Sequence, residues 1–321
     1  MKNILKVDKW NPNAEIIHKA GAILRDGGLA AFPTETIYGL GANGLSSEAA
    51  RKIFLAKGRP LDNPLILHLS DAKEAEALAE IDDRAARIMA AFWPGPLTLV
   101  LKARPGIPSE VTAGLTTVAL RVPDHPVARA LIEAAGCPIA APSANRSGRP
   151  SPTDANAVAE ELGNRVDLIL DAGHVDIGLE STVIDITGPK ALLLRPGGSF
   201  VERLEVFLGE PLGVPDEDLK KRSPGTRHKH YSPAVPVRVW EAGEELDGSI
   251  DTSKFGFMGV NPPPAEFGRV ILFESEASYA RGVFAGFRLF EAEGLSIVAE
   301  WPKEHGIGLA LRDRIRRASD S

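Results

Sequence analysis

At 321 residues the chain is longer than one average domain and comfortable for two. Its hydrophobic share of 44% and charged share of 25% are those of an ordinary soluble globular protein, which excludes a disordered or fibrous chain. A formal net charge of −6 argues against a protein built mainly to hold nucleic acid, and the single cysteine, Cys137, excludes a disulfide frame or a multi-cysteine zinc site.

Asn11-Pro12 predicts a helix start, with Asn11 as cap and Pro12 in the first turn. Ile16, Ile17, Ala20, Ile23 and Leu24 follow at helical spacing, and Gly27-Gly28 ends the run. Leu29 to Phe32 reads as a buried strand. Ser46 or Ser47 caps a second helix that carries Ala50, Ile53 and Phe54 and ends at Lys57-Gly58. Leu65 to Leu69, Leu97 to Leu101, Val118 to Val122 and Ile139 to Ala141 read as strands, with helices from about Asp71 to Ala91 and from Pro126 to Ala135 between them. Cys137 falls in this last apolar run, where core packing accounts for it. Ser151 is expected to cap the next helix. Val166 to Leu170 and a hairpin, Thr182 to Ile186 then Ala191 to Leu194, close the first unit. Helices and strands alternate, but the hairpin makes the sheet mixed: the fold class is α/β.

The expected domains are 1–208 and 237–321, joined by a Pro-rich linker over 209–236 that is dense in donors at Ser223 to Ser232. Within the second domain, Val237 to Trp240, Phe255 to Gly259, Val270 to Phe273 and Ser296 to Ala299 are strands. Helices from about Ala277 to Glu291 and Gly306 to Arg317 complete it. No run of eighteen apolar residues occurs, and the first residues lack a signal-peptide core, so a cytoplasmic protein with no membrane partner is expected.

Gly39-Leu40-Gly41-Ala42-Asn43-Gly44 fits the dinucleotide fingerprint. However, Thr34 to Tyr38 separate it from the strand, and the helix is capped later, so a flexible substrate-lining loop is the better account, with NAD binding a minor alternative. Lys57-Gly58-Arg59-Pro60 puts cations at a corner. As a helix's last turn it needs no ligand, but Arg121, Arg146, Arg149 and Arg195 also fall at strand ends or in Pro/Gly corners, where α/β sheets present ligand sites. Pro142-Ser143-Ala144-Asn145 places a hydroxyl and an amide on an extended segment, suited to a phosphate or its metal. Thr34, Glu35 and Thr36 either make local turn bonds or read an amino acid's amine and hydroxyl. His228 and His230 lack an apparent third metal ligand.

Phe32 to Leu40, Lys57-Gly58-Arg59-Pro60, Asn63-Pro64-Leu65, Arg121-Val122-Pro123 and Ser143-Ala144-Asn145 together resemble the YrdC-like domain of threonylcarbamoyl-AMP synthases. Ser223-Pro224-Gly225 and His230-Tyr231-Ser232-Pro233, with the extra C-terminal unit, are similar to the long two-domain form. The pattern departs at Thr226-Arg227-His228, where the family usually carries a hydrophobic residue, Lys and an aromatic. The resemblance implies a twisted mixed sheet with a concave basic cavity, plus a smaller Rossmann-like domain. It also implies the reaction: L-threonine, bicarbonate or carbon dioxide, and ATP give threonylcarbamoyl-AMP and pyrophosphate. A separate transferase would then modify tRNA next to the anticodon, with at most a weak tRNA contact here.

Carried onto this sequence, Lys57 and Arg59 hold the triphosphate and its Mg²⁺, which ATP carries without protein ligands of its own. Ser143 and Asn145 bind the phosphates or that metal. Asn63, Thr117, Ala141, Ser151 and Arg195 line the nucleotide side, and Tyr231 closes the linker over ATP. Thr36, His68, Arg121 and Ser181 enclose threonine, with Arg121 as carboxylate partner. An RNA-binding module is the rival class. Carbamoyl transfer in hydrogenase maturation needs cysteine pairs that the chain lacks. For the second domain, a lid anchor, a dimer surface and a docking site for the transferase all stay open.

Overall fold

The computed structural model describes residues 3–216, 219, 231–246 and 250–320. The first unit runs β1 (Ile4–Lys6), α1 (Ala14–Arg25), β2 (Ala30–Pro33), β3 (Tyr38–Asn43), α2 (Ser47–Lys57) and β4 (Ile66–His68). It continues with α3 (Asp83–Phe92), β5 (Leu97–Lys102), α4 (Ser109–Thr112), β6 (Thr117–Arg121), α5 (Pro126–Ala135) and β7 (Ile139–Ala140). Then come α6 (Ala155–Leu162), β8 (Leu168–Asp171), the hairpin β9 (Thr182–Asp185) and β10 (Leu192–Arg195), and α7 (Val201–Leu208). Its strands form one ten-stranded sheet in the order β1-β8-β2-β3-β7-β4-β6-β5-β9-β10. Parallel pairs such as β4/β6 mix with antiparallel ones such as β5/β6 and β9/β10, as the hairpin required.

The second unit holds β11 (Val237–Trp240), β12 (Phe255–Gly259), β13 (Arg269–Leu272), α8 (Glu276–Ala292), β14 (Ser296–Glu300) and α9 (Ile307–Ser319). Its four strands are all parallel, in the order β11-β14-β12-β13, so every connection must cross over. The donor-rich stretch Ser223 to His230, including the His228 and His230 pair, lies outside the described residues.

Strand alternation sorts the large sheet's side chains onto two faces. Leu67, Leu97, Leu99, Leu101, Val118 and Leu120 enter the main core with Ile53, Phe54, Ile88 and Met89 from α2 and α3. On the other face, Ala30, Phe32, Ile139 and Leu168 pack beneath Ile17, Leu24, Val127 and Leu131 of α1 and α5. Those helices cover only the β8-β2-β3-β7 part. Across β4, β6, β5 and β9 the same face carries Ile66, His68, Thr117, Ala119, Arg121, Thr98 and Val183; Ile66, His68 and Arg121 line a cleft, while Ala119 and Val183 pack with Ile66 in a small buried cluster.

Several sequence expectations change at this level. Tyr38–Asn43 is a buried strand in the middle of the sheet, not a flexible loop. Its glycines serve packing: a Cβ on Gly41 would stand 2.9 Å from both Ile139 Cγ2 and Phe32 Cε1. The cap of α1 is Asn13, whose Oδ1 accepts from Ile16 N at 3.1 Å, while Asn11 N instead donates to Asp8. Asp154, not Ser151, caps α6, accepting from Ala157 N at 2.9 Å. The single helix expected over 71–91 is a 3₁₀ segment, Ala72–Ala77, and then α3, because Asp82 starts a new cap and Ala79 bridges to Ala103. Ser46, Gly58 and the Pro126 start stand as read. Cys137 is half-buried in the turn before β7, and burial raises its thiol pKa.

Gly41→Ala is expected to lower stability by about 1–3 kcal/mol, the usual range for overpacking a filled core. Urea unfolding followed by far-UV circular dichroism checks this, and an unchanged midpoint would contradict the packing account.

Candidate functional site

The uncovered face opens into a cleft of about 580 Å³, counting the part open to solvent. Thr36, Arg59, His68, Arg121, Ala141, Ser143, Ser181, Arg195 and Tyr231 all line it, drawn from eight separate stretches of chain brought together by the sheet. Thr34, Ile37, Gly39, Leu65, Ile66 and Glu180 line it as well. Lys57, Asn63, Thr117, Asn145 and Ser151 are buried beside or beyond its wall without lining it. Thr117 sits on the uncovered face but at the far end of β6 from Arg121.

The turn between β2 and β3 explains its threonines. Thr34 Oγ1 donates to Ile37 O at 2.7 Å and accepts from Thr36 N and Ile37 N, so this side chain makes the local turn. Thr36 lines the cleft too, its hydroxyl 2.8 Å from that of Thr34 and accepting from Arg121 Nη1 at 3.0 Å. Arg121 is engaged on its other sides too. Nη2 pairs with Glu35 at 2.6 Å, and Nε donates to Gly95 O at 3.2 Å. A carboxylate from a ligand must therefore share this guanidinium with Glu35. His68 is buried next to it, and burial first, then the Arg121 charge, lower its pKa to about 3. The imidazole is neutral near pH 7 and serves as a hydrogen-bonding group.

The Lys57 ammonium points under the segment that follows β7. It donates to Ser143 O at 2.5 Å and also to Asn145 O, leaving one N–H beyond these two. That segment runs beside β3, with Leu40 N donating to Pro142 O and Ala144 N to Tyr38 O. Asn145 Nδ2 donates to Arg146 O and Arg149 O, both at 2.8 Å, which fixes the amide's orientation. Its Oδ1 is buried with no hydrogen-bond partner, an acceptor suited to a cation or to a water that a cation holds. Among the described residues no group of three or more His, Cys, Asp or Glu side chains could hold a metal.

Arg59 Nη2 donates to Pro64 O at 3.1 Å, and Arg195 donates to Ser181 O at 2.9 Å and to the Ser181 hydroxyl at 3.2 Å. Ser181 Oγ also meets Thr98 Oγ1 at 2.8 Å. Glu180 is the residue that sequence reading missed. Its Oε1 accepts from the Ser151 hydroxyl at 2.5 Å, and its Oε2 accepts from Arg314 Nε of α9 at 2.7 Å. Arg314 was missed as well, although a cation on the apolar stripe of α9, with Leu311 and Ile315 equally buried, was a visible irregularity.

The two units dock through apolar and ionic contacts. Leu179 and Tyr231 belong to the second unit's core, where Tyr231 stacks on Phe284 with ring centres 5.6 Å apart. Arg149 pairs with Glu291 and Arg288 with Glu161, each at 2.7 Å. Gly178, at φ +86°, lies so close to α8 that a Cβ would stand 2.4 Å from Arg281 Cα.

A mixed sheet with a cleft lined by Arg59, Arg121 and Arg195, joined to a parallel four-stranded unit, defines a two-domain α/β protein. Two family models match the chain. One, described as "Telomere recombination", matches residues 22–197, and the other, "Threonylcarbamoyl-AMP synthase, C-terminal domain", matches residues 200–320. A threonylcarbamoyl-AMP synthase of Pyrococcus abyssi is 41% identical over 330 residues, spanning 98% of this chain and 95% of that protein. One of Bacillus subtilis is 40% identical over 333 residues, spanning 97% and 95%. The crystal structure of Pyrococcus abyssi Sua5 complexed with L-threonine matches with a TM-score of 0.91 at 39% identity, covering 99% of this chain and 97% of that one. The chain belongs to the threonylcarbamoyl-AMP synthase family and is an enzyme of the nucleotidyltransferase type.

The buried histidines make stability pH-dependent. His125, like His68, is held neutral, its pKa lowered to about 4 by burial and by Lys9. Unfolded, both titrate near 6.5, so below that value the unfolded chain binds the extra protons. Stability is full above about 6.5 and is lost as pH falls toward the folded values, by up to about 1.4 kcal/mol per pH unit for each group. Urea midpoints between pH 7 and pH 5 should therefore fall, and less steeply in His125→Gln. A flat profile would refute the assignment.

Proposed function

We propose that this chain condenses L-threonine, bicarbonate or carbon dioxide, and ATP into threonylcarbamoyl-AMP with release of pyrophosphate. The product would supply a separate transferase that modifies tRNA beside the anticodon, in the cytoplasm where all three substrates are available. The observation that carries this reading is a gathering of cations at one cleft: Arg59, Arg121 and Arg195 line it, and Lys57 is buried beneath its Ser143 segment. Burial lowers the pKa of Lys57, Arg59 and Arg195, and the nearby carboxylates and Tyr231 do not restore it. Arg149 and Arg314, in contrast, are raised by their carboxylate partners despite burial. A triphosphate would bring negative charge to this gathering of cations.

In this reading Arg59 and Arg195 meet the phosphates from the cleft wall, with Ser143 donating its hydroxyl. Lys57 adds its charge from beneath and holds the Ser143 to Asn145 backbone in place. Mg²⁺ carried by ATP would neutralise phosphate charge, and Asn145 Oδ1 is the acceptor fitted to it or to one of its waters. Asn63, Thr117, Ala141 and Ser151 shape the nucleotide side, and Tyr231 covers it from the linker's end. Thr36, His68, Arg121 and Ser181 enclose threonine, its carboxylate sharing Arg121 with Glu35.

The chemistry needs no protein nucleophile. The amine nitrogen of threonine bonds to the carbon of carbon dioxide and loses a proton, giving a carbamate. A carbamate oxygen then attacks the α-phosphorus, the bond to the β-phosphate bridging oxygen breaks, and pyrophosphate leaves with that electron pair. Orientation and neutralisation of phosphate charge supply the acceleration. A carbamate decomposes in water, so a secluded floor of Ile66, His68 and Ala141 suits it.

Pyrophosphate formation should require ATP, threonine and bicarbonate together. Arg59→Ala or Lys57→Ala should reduce it by about thirtyfold to a thousandfold, as loss of a charge-assisted transition-state contact does. Full activity in Arg59→Ala would remove the basis of the phosphate assignment.

A further inference from the structure

The C-terminal domain sets a charged side chain directly behind the cleft wall. Arg314 on α9 is fully buried, and its guanidinium is shared among Glu180 Oε2 at 2.7 Å, Asp313 Oδ2 at 2.7 Å and Pro196 O at 3.1 Å. It also lies over the Tyr231 ring, 5.0 Å from its centre. Glu180 and Tyr231 both line the cleft. The other docking pairs, Arg149 with Glu291 and Arg288 with Glu161, join residues that do not. Those pairs and the apolar seam around Leu179 already hold the domains together. A buried ion pair is by itself weak evidence of stabilisation, so Arg314 invites a different explanation.

Glu180 presents the difficulty. A carboxylate in the wall of a cleft for a polyanion repels the ligand and draws on the nearest cations. Arg195 and Lys57 both feel its charge. We propose that Arg314 is a positioning residue contributed by the C-terminal domain: by cancelling the charge of Glu180 it lets the field of Arg59 and Arg195 act on the incoming phosphates. This rests on the reading that ATP's phosphates occupy this cleft.

The groups around Glu180 set the expected pH behaviour. Arg314, Arg195 and Lys57 supply positive charge, Asp313 supplies negative charge through Arg314, and Tyr231 and Ser151 are neutral. Burial raises the Glu180 carboxyl, but the Arg314 charge foremost, together with Arg195 and the Ser151 hydrogen bond, outweighs this and holds it below the ordinary value. Without Arg314 the carboxyl's pKa rises, and Glu180 takes up a proton at a higher pH than in the wild type.

Arg314→Met keeps an unbranched apolar stem against Tyr231 and removes the charge. In the full-length protein it should raise the KM for ATP by about tenfold near pH 8, with a smaller change in kcat. That penalty should shrink as pH falls toward about 6, a trend that a packing defect would not produce. The double variant Arg314→Met with Glu180→Gln should bring the ATP KM back to within about threefold of wild type, because no uncompensated charge remains. A single variant with a wild-type KM and pH profile, or a double variant no better than the single, overturns the proposal. If Arg314→Met alone does not fold, the double variant decides: a KM raised about tenfold there overturns it as well. Wild-type pyrophosphate release that responds to Arg59→Ala but not to Arg314→Met sinks this inference only. A wild type with no threonine-dependent release overturns the reading beneath it too.

Discussion

The constraint on which this structure turns is the removal of cations from water. Lys57, Arg59, Arg121, Arg195 and Arg314 are all buried, and each would be strongly unfavourable without compensation. The compensation divides them. Arg121 and Arg314 meet carboxylates, whereas among the described contacts Lys57, Arg59 and Arg195 donate to backbone carbonyls, and Arg195 to a hydroxyl as well. Carbonyl dipoles hold an ammonium or guanidinium in place but do not cancel its charge. The fold therefore fixes a positive potential inside an otherwise acidic protein, and its stability is drawn from the leucine-rich core on the opposite face of the sheet.

That two-faced sheet connects architecture to chemistry. Period-two alternation along β4, β6, β5 and β9 sends the leucines to the helices and leaves Ile66, His68, Thr98 and Arg121 on the far side. Helices α1 and α5 cover one part of that side, and Tyr231, stacked on Phe284 of the second unit, adds to the wall of the cleft on the rest. Arg314 stands behind that wall, held on Glu180.

Much of this was legible in the sequence. The corner Lys57-Gly58-Arg59-Pro60 announced a helix end with fixed cations, and Gly58 is indeed left-handed there. The hairpin, both ends of α2 and α5, and all the strands of the second domain followed from turn residues and apolar runs. The misreadings have physical causes. Gly39 and Gly41 look like loop residues because glycine carries no apolar signal, yet here they thin a central strand against Phe32 and Ile139. Ser151 looks like a cap because caps and carboxylate donors use the same hydroxyl, and Glu180 claims it. Glu180 and Arg314 are 134 positions apart, so no local pattern could pair them. What remained visible was only their incongruity, one charge in an apolar stretch and another on an apolar stripe.

Gly178 gives the docked helix a mechanical meaning. Its backbone touches α8 with no intervening side chain, while its N–H donates to Thr36 O and that of Ile177 donates to Glu35 O. Rigid peptide meets rigid peptide, and the next link is the turn holding the hydroxyl that Arg121 grips. Tilting α8 presses on that turn, so the far domain works as a strut against the Thr36 side of the cleft, and the tolerance between them is smaller than a methyl group.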